Sequence, residues 1–293
     1  MTRMDRRSFL KIAGTCSMLP FVQSPFGMQS LIADESKPPY RVGVCGWNMP
    51  GYAGNLESFA MAKKLGFQGV QLLYDPMEEP VFTKKENQDR FLQAAQEEKM
   101  EIMSFSIGIV CRRPFATDPD AEQWVSGCLE AMHDMQIKNL LLPFFGEGDL
   151  IDKPDDQKRT VAKLKNLVPQ AEKLGRTISI ESYLTVGDHL RMIDGVGSDA
   201  VKVYYDFQNM ADKGYDIFED LKILGPKNLI SEVHLKDNTH RLIDSPLNYF
   251  KISEALQESG YRGWVIVEAS ISGDWQESYA SNADFARKIF SIR

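Results

Sequence analysis

The sequence alternates eight times between a short apolar run and a longer amphipathic segment, beginning near residue 40. The apolar runs are rich in aliphatic and aromatic residues, as strands buried in a parallel sheet are. The segments between them carry apolar residues at helical spacing, and glycine follows three of them, where a helix commonly ends. The eight runs are residues 41–47, 69–74, 101–108, 139–145, 177–182, 201–206, 231–237 and 264–270.

Eight successive strand–helix units predict an α/β fold, a single closed (β/α)8 or TIM barrel over residues 36–293. The main alternative is a doubly wound parallel sheet. Such a sheet normally has a glycine-rich phosphate turn after an early strand, and the first turn here, VGVCGWNMPG, does not fit G-x-G-x-x-G. No linker or low-complexity segment divides the chain after the leader, so we expect one domain.

Residues 1–35 differ in character from the rest of the chain. Basic residues come first, and a modest apolar stretch follows at residues 12–22, which is the layout of an export signal. The run DRRSFLK, with Arg6 and Arg7 at its centre, is similar to a twin-arginine motif, although a basic N-terminus without a signal role is the alternative. We therefore predict a leader at residues 1–35 and a periplasmic location for the barrel.

Composition narrows the classes of partner. The chain has 293 residues, a net charge of −7 and no basic stripe, which argues against a nucleic-acid surface. No apolar run approaches the roughly 20 residues of a membrane-spanning helix. We expect a small-molecule partner, and a homo-oligomer is compatible with the sequence. Pairing of Cys111 with Cys128 is left open, because spacing alone cannot show it.

Four consecutive predicted strands each deliver one polar side chain near the same end. In such barrels the functional site lies at the carboxyl ends of the strands. Three carboxylates at one crowded mouth would repel each other and lose hydration, and a divalent cation resolves both costs. Oxygen ligands with one imidazole suit Mn²⁺, Mg²⁺ or Co²⁺, and Zn²⁺ remains an alternative. The predicted metal ligands are Glu181, Asp206, His234 and Glu268.

With its H-L-K-D run in strand seven, Y-D in strand six and V-E-A in strand eight, the chain resembles the xylose isomerase-like barrel superfamily in its sugar phosphate isomerase/epimerase branch. The resemblance covers nearly the whole chain from about residue 41. It implies a metal-dependent isomerase or epimerase of a sugar or keto-sugar derivative. In the epimerases of that group two glutamates hold the metal and shuttle the proton, a role that carries over to Glu181 and Glu268. The proton lies next to a carbonyl, and its removal leaves an enediolate.

Two aromatic residues end the first two predicted strands and are candidates for a wall against which a sugar stacks, Trp47 and Tyr74. Arg241, just after strand seven, resembles a substrate-binding arginine of the epimerases. Lys236 and Asp237 are candidates for orienting His234.

The sequence also departs from its relatives. Many epimerases of this group have a histidine three residues after the strand-six aspartate, where this chain has Asn209, which we retain as a candidate substrate contact. A Gly-Glu-Gly turn common after strand seven is replaced by LIDSPLN at residues 242–248. These departures bear on the substrate and the reaction but leave the four metal positions intact.

Three other functions remain open. A sugar lyase or dehydratase could use the same metal site, since elimination begins with the same proton abstraction. A non-catalytic sugar-binding barrel would be expected to lose one of the two glutamates, and neither is lost. A phosphodiesterase similar to endonuclease IV needs several histidines for a three-zinc cluster, and this chain has four histidines in total.

Overall fold

The computed structural model describes residues 40–78, 81–269 and 273–291, which form part of one compact unit. Eight parallel strands follow one another around a closed barrel, and β8 pairs with β1 to complete it. This arrangement confirms the predicted (β/α)8 barrel. The strands are β1 Tyr40–Cys45, β2 Gly69–Leu73, β3 Glu101–Ser106, β4 Asn139–Phe144, β5 Thr177–Ser182, β6 Val201–Asp206, β7 Ile230–Leu235 and β8 Gly263–Val267.

Helices connect successive strands and surround the barrel. Eight of them occupy segments with the predicted helical pattern, and a short extra helix, α6, follows β6 directly. That helix starts because the Asp206 side chain accepts a hydrogen bond from the Asn209 backbone N–H, which caps its first turn. The helices are α1 Ser58–Leu65, α2 Lys85–Glu98, α3 Ala121–Asp134, α4 Pro154–Leu174, α5 Val186–Val196, α6 Phe207–Asp212, α7 Ile217–Leu224, α8 Tyr249–Glu258 and α9 Trp275–Ser291.

The core has two layers. The larger layer lies between the strands and the helices, and a smaller one fills the barrel interior. Gly43 makes room in that interior, because a Cβ there would come within 2.0 Å of the Met103 sulfur. The interior cluster consists of Cys45, Met103, Leu141, Tyr204, Trp264 and Ile266, with Trp47 packed against it. This cluster therefore fills the barrel below its carboxyl-end mouth.

Cys111 and Cys128, whose pairing the sequence left open, are both free cysteines in this structure and do not form a disulfide. Within the described residues, no helix is both long and apolar enough to cross a membrane. The predicted leader at residues 1–35, with Arg6 and Arg7, lies outside the described residues.

Candidate metal centre

The four predicted ligands meet at the carboxyl-end mouth of the barrel. Glu181 and His234 are the penultimate residues of β5 and β7, Asp206 is the last residue of β6, and Glu268 directly follows β8. Asp206 and His234 are also direct partners in the β6–β7 register. One ligand atom from each of the four lies within 4.8 Å of every other. Parallel strands of similar length thus bring side chains up to 87 residues apart in sequence (Glu181 and Glu268) to one point.

The imidazole of His234 lies close to all three carboxylates of this cluster. His234 Nδ1 lies 3.1 Å from Glu181 Oε1, 3.3 Å from Glu268 Oε2 and 3.8 Å from Asp206 Oδ2. Asp206 is 2% exposed, and its Oδ2 has no hydrogen-bond partner although it is buried. A buried carboxylate oxygen without a donor is costly unless a cation satisfies it. The donor set, three carboxylates and one imidazole nitrogen, fits a hard or borderline divalent cation.

The far side of the imidazole is held by a residue that the sequence did not single out. His234 Nε2 lies 3.2 Å from Gln71 Oε1 and 3.4 Å from Cys45 Sγ, and the edge of the Tyr204 ring packs on it at 4.5 Å between centroids. An amide oxygen can only accept, so Nε2 carries the proton that it donates to Gln71. That tautomer leaves the Nδ1 lone pair pointing at the carboxylates, as a metal ligand requires. Burial raises the pKa of the Cys45 thiol to about 12, so it stays protonated.

Lys236 neutralises part of the negative charge. Its Nζ lies 3.1 Å from Glu268 Oε2 and 3.6 Å from Asp206 Oδ2. Burial raises the pKa of Asp206 to about 7 despite this lysine, whereas at Glu268 the neighbouring His234 and Lys236 outweigh burial and lower the pKa. Lys236 was expected to orient His234, but in the structure its ammonium group contacts the carboxylates of Glu268 and Asp206 instead.

Asp237, the other residue expected to orient His234, instead organises the loop that follows β7. Its Oδ1 accepts hydrogen bonds from the backbone N–H groups of Thr239 at 2.8 Å and His240 at 2.7 Å. Asp237 is 2% exposed, and burial acts to raise its pKa, but hydrogen bonds from the Ser245 side chain and from those backbone N–H groups outweigh burial and lower the pKa. Its role in the structure is therefore to fix the backbone beyond the histidine.

The two aromatic residues predicted to form a sugar-stacking wall, Trp47 and Tyr74, lie in different surroundings. Trp47 lies at the mouth, where its Nε1 donates to Glu268 Oε1 at 3.2 Å. Tyr74 is 1% exposed, its ring packs on Phe105 at 5.7 Å between centroids, and its hydroxyl faces Gly127 of α3. The placement of Tyr74 does not agree with a sugar-stacking role, because successive strand residues point to opposite faces and this side chain turns towards the helices.

Arg241 and Asn209 are placed away from the ligand atoms. Arg241 lies in the loop after β7, where its Nε pairs with Asp244 Oδ2 at 3.0 Å and both side chains are exposed. Asn209 is 5% exposed in α6, and its backbone N–H donates to Asp206 Oδ1 at 2.9 Å. Its backbone supports a ligand, whereas its side chain has no described contact with the centre.

An aromatic pair at the rim was missed by sequence reasoning. Tyr183, two residues beyond Glu181, packs against Phe145 with ring centroids 4.8 Å apart. Lys213 Nζ lies 4.4 Å from the centre of the Tyr183 ring, within cation–π distance. Both rings are only half-buried, so they offer an apolar surface beside the ligands. The two-residue step from a ligand is the signal that could have found Tyr183.

The protein is a TIM barrel with a candidate metal site. Its eight parallel strands form a closed barrel, and a buried cluster of three carboxylates and one histidine lies at the carboxyl-end mouth. The sequence model of the family described as the xylose isomerase-like TIM barrel matches residues 59–289. The chain belongs to this family.

Solved structures with the same fold include sugar epimerases. The chain is similar to a 3-keto-D-glucoside 4-epimerase from E. coli, with 18% identity, a TM-score of 0.71, and 85% of this chain and 99% of that chain covered. It is also similar to D-psicose 3-epimerase from Clostridium cellulolyticum, with 17% identity, a TM-score of 0.73, and 86% and 100% covered. An AP endonuclease of family 2 from Brucella melitensis shares 19% identity at a TM-score of 0.67, with 84% and 98% covered. No curated protein is a significant sequence match.

Proposed function

We propose that this protein is a divalent-metal-dependent isomerase or epimerase of a sugar or keto-sugar derivative. The observation that carries the proposal is the cluster of four ligand atoms within 4.8 Å, with one carboxylate oxygen of Asp206 buried and without a donor. The residues that would hold the cation are Glu181, Asp206, His234 and Glu268. Mn²⁺, Mg²⁺ and Co²⁺ are the favoured ions for this ligand set, with Zn²⁺ as the alternative.

The chain's own residues supply acid–base chemistry around such a cation. When bound, the cation would stabilise negative charge that develops on a substrate oxygen. Glu181 and Glu268 reach the centre from strands three positions apart in the barrel, so each can face a different side of a sugar. One takes the proton next to the carbonyl, which leaves an enediolate, and the other returns a proton. Trp47 and Lys236 fix the Glu268 carboxylate through its two oxygens.

The relatives of known structure support a keto-sugar substrate. Two of them act on sugars with a carbonyl beside the carbon that is inverted, one on 3-keto-D-glucosides and one on D-psicose. The half-buried rings of Trp47, Phe145 and Tyr183 give this mouth the apolar surface that a sugar face requires. The substrate that we propose for this chain is therefore a ketose or a keto-glycoside.

Elimination is the second candidate reaction. Both oxygens of Glu268 are engaged, by Trp47 Nε1 at 3.2 Å and by Lys236 Nζ at 3.1 Å. If Glu181 alone moves the proton, the outcome is isomerisation or loss of a neighbouring hydroxyl, as in a lyase or dehydratase. A phosphodiesterase with several metal-binding histidines is disfavoured, since the clustered ligands of the described chain include one histidine. The complete set of carboxylates disfavours a barrel that only binds sugar.

The test is a screen of metal-loaded protein against ketoses and keto-glycosides, with products resolved by NMR. Glu268→Gln is expected to lose both bound metal and turnover. Glu232→Gln is the matched control, because Glu232 is a buried glutamate of β7 that lies outside the cluster. Unchanged metal content in Glu268→Gln would contradict the site assignment, and metal binding without turnover on any ligand would favour a binding protein.

We also propose that the protein is exported to the periplasm through the twin-arginine pathway. The basis is the sequence of residues 1–35 alone. Replacing Arg6 and Arg7 with lysine is expected to retain the tagged protein in the cytoplasm, which cell fractionation measures. Periplasmic protein in both forms would contradict the leader assignment.

A further inference from the structure

A cavity of about 480 Å³ opens at the same carboxyl-end mouth, on the side of β2 and β3. Its volume is within the range of small-molecule sites, roughly 300–1,000 Å³. We call it the rim cavity. Its lining includes the buried Tyr74, and the residues that the argument uses are Leu73, Asp75, Glu78, Gly108, Cys111 and Arg112.

Two links place the rim cavity beside the metal centre. Gln71 points into the barrel and touches His234, and Leu73, two residues further along β2, faces the same way one layer nearer to solvent. Leu73 is 37% exposed and forms part of the cavity wall. On the other side, the Cys111 thiol lies 3.9 Å from the Pro143 carbonyl oxygen, and Pro143 is the register partner of Glu181. Leu73 and Cys111 thus connect the cavity wall to residues that neighbour the centre.

The lining chemistry matches a polyhydroxylated ligand. Asp75 and Arg112 have no ion-pair partner within the described residues, so both remain available for hydrogen bonds to a ligand. One Asp75 oxygen accepts from the Met77 backbone N–H at 2.8 Å, which fixes the carboxylate and leaves its other oxygen open. Carboxylates accept from hydroxyl groups and the guanidinium donates to them, while Leu73 offers an apolar surface to a sugar face.

We propose that the rim cavity is a subsite for a second sugar unit, so that the substrate is a glycosylated sugar whose reacting ring lies at the metal centre. This inference rests on the proposed function. The reacting ring must contact Glu181 and Glu268, which come from the β5–β8 half of the barrel, whereas the cavity belongs to the β2–β3 half. We therefore place the reacting ring at Glu181 and Glu268 and the second sugar unit in the cavity.

A glycine offers a clean way to fill the cavity. A Cβ built on Gly108 meets only Leu73 Cδ2, at the ordinary contact distance of 3.6 Å, so Gly108→Leu adds bulk to the cavity with little strain. Gly187→Leu is the matched control, because a Cβ there also meets a single atom, Thr185 Oγ1 at 3.7 Å, outside the cavity. Arg112→Gln is a second variant that does not depend on packing, since Arg112 is exposed.

The experiment measures binding to Mn²⁺-loaded protein by calorimetry, and thermal unfolding checks that each variant folds. The probes are D-fructose and three disaccharides that carry glucose on its O3, O4 or O6, namely turanose, maltulose and isomaltulose. A parallel pair is 3-keto-glucose and 3-keto-trehalose. We expect at least one disaccharide to bind tenfold or more tightly than its monosaccharide. Gly108→Leu should remove that advantage, Arg112→Gln should reduce it, and Gly187→Leu should keep it.

The outcomes separate the subsite from the proposed function. Monosaccharides that bind as tightly as every disaccharide overturn the subsite and leave the proposed function standing. A disaccharide advantage that survives both Gly108→Leu and Arg112→Gln also overturns it. If no sugar binds the metal-loaded protein, the proposed function fails and the subsite fails with it.

Discussion

Replacing Asp206 with asparagine should stabilise the metal-free protein and abolish its stabilisation by metal. The carboxylate is 2% exposed, and its Oδ2 has no hydrogen-bond partner. Burial raises the pKa of Asp206 to about 7, with Lys236 acting against the rise and Glu181 adding to it. The charge that would bind a cation therefore destabilises the folded protein when no cation is bound. Asparagine removes that charge but retains the oxygen that caps α6 by accepting from Asn209.

The magnitude follows from the pKa. A carboxyl whose pKa is raised on folding contributes most to stability below its unfolded value, about 3.9, and that contribution is lost as the pH rises through about 7. A rise of about three pKa units corresponds to at most ~4 kcal/mol at pH 8. Lys236 loses one partner in the variant but keeps Glu268, which offsets part of the gain. We expect a net gain of about 2 kcal/mol, or roughly 4–8 °C in Tm for a barrel of this size.

The assay is thermal unfolding of metal-stripped wild type and Asp206→Asn at pH 8, with and without Mn²⁺. Metal at about 100 times its Kd stabilises the wild type by ~2.7 kcal/mol, or roughly 5–11 °C, and should leave the variant unchanged. At pH 5 the gain of the metal-free variant should shrink, because the folded wild type then keeps Asp206 protonated. Asp220→Asn is the control: Asp220 is buried outside the centre and accepts from Tyr205 OH at 2.7 Å. A variant less stable than wild type at pH 8, or one still stabilised by Mn²⁺, would refute the reasoning.

Three further predictions concern the surroundings of the centre. Gln71→Met removes the acceptor for His234 Nε2–H and should weaken metal affinity by about 10- to 100-fold, measured by competition with a chelator. Glu268→Gln should lose metal in elemental analysis, whereas Glu232→Gln, equally inside the barrel but outside the cluster, should retain it. Trp47→Phe removes the donor to Glu268 Oε1 and should lower kcat/KM for the substrate. Steady-state kinetics of the wild type and the variant measures the loss.

The sequence predicted the barrel and the meeting of the four ligand side chains because both follow from short-range pattern. Each of the eight apolar runs, and each helix between them, can be recognised from its own stretch of sequence. Closure of the barrel then places the ends of the strands next to each other. Glu181, Asp206 and His234 occupy the last two positions of their strands, so no knowledge of register was needed to bring them together. Their roles in catalysis remain predictions.

Sequence reasoning failed where the face of a strand mattered. Trp47 lies in a short 3-10 turn just after β1, where strand alternation does not apply, and its ring packs against the interior cluster. Tyr74 is three residues beyond Gln71 and therefore faces the helices. Gln71 itself gave no signal, because its partner His234 is 163 residues away and a single amide within an apolar strand has no pattern. The rim cavity was equally hidden, since most of its wall follows the ends of β2 and β3, in segments whose paths depend on tertiary packing.

The two glutamates differ in their surroundings, and this difference bears on the reaction. Glu268 accepts from Trp47 and Lys236, and the neighbouring His234 and Lys236 lower its pKa although burial acts the other way. Among the described residues, Glu181 meets only His234 at hydrogen-bond distance. Because Glu268 is held by two donors, we expect Glu181 to take the first proton in the proposed reaction. Inversion of a carbon then requires Glu268 to return a proton from the other side, whereas isomerisation and elimination do not. The choice among these reactions therefore depends on whether substrate binding moves Lys236 away from Glu268.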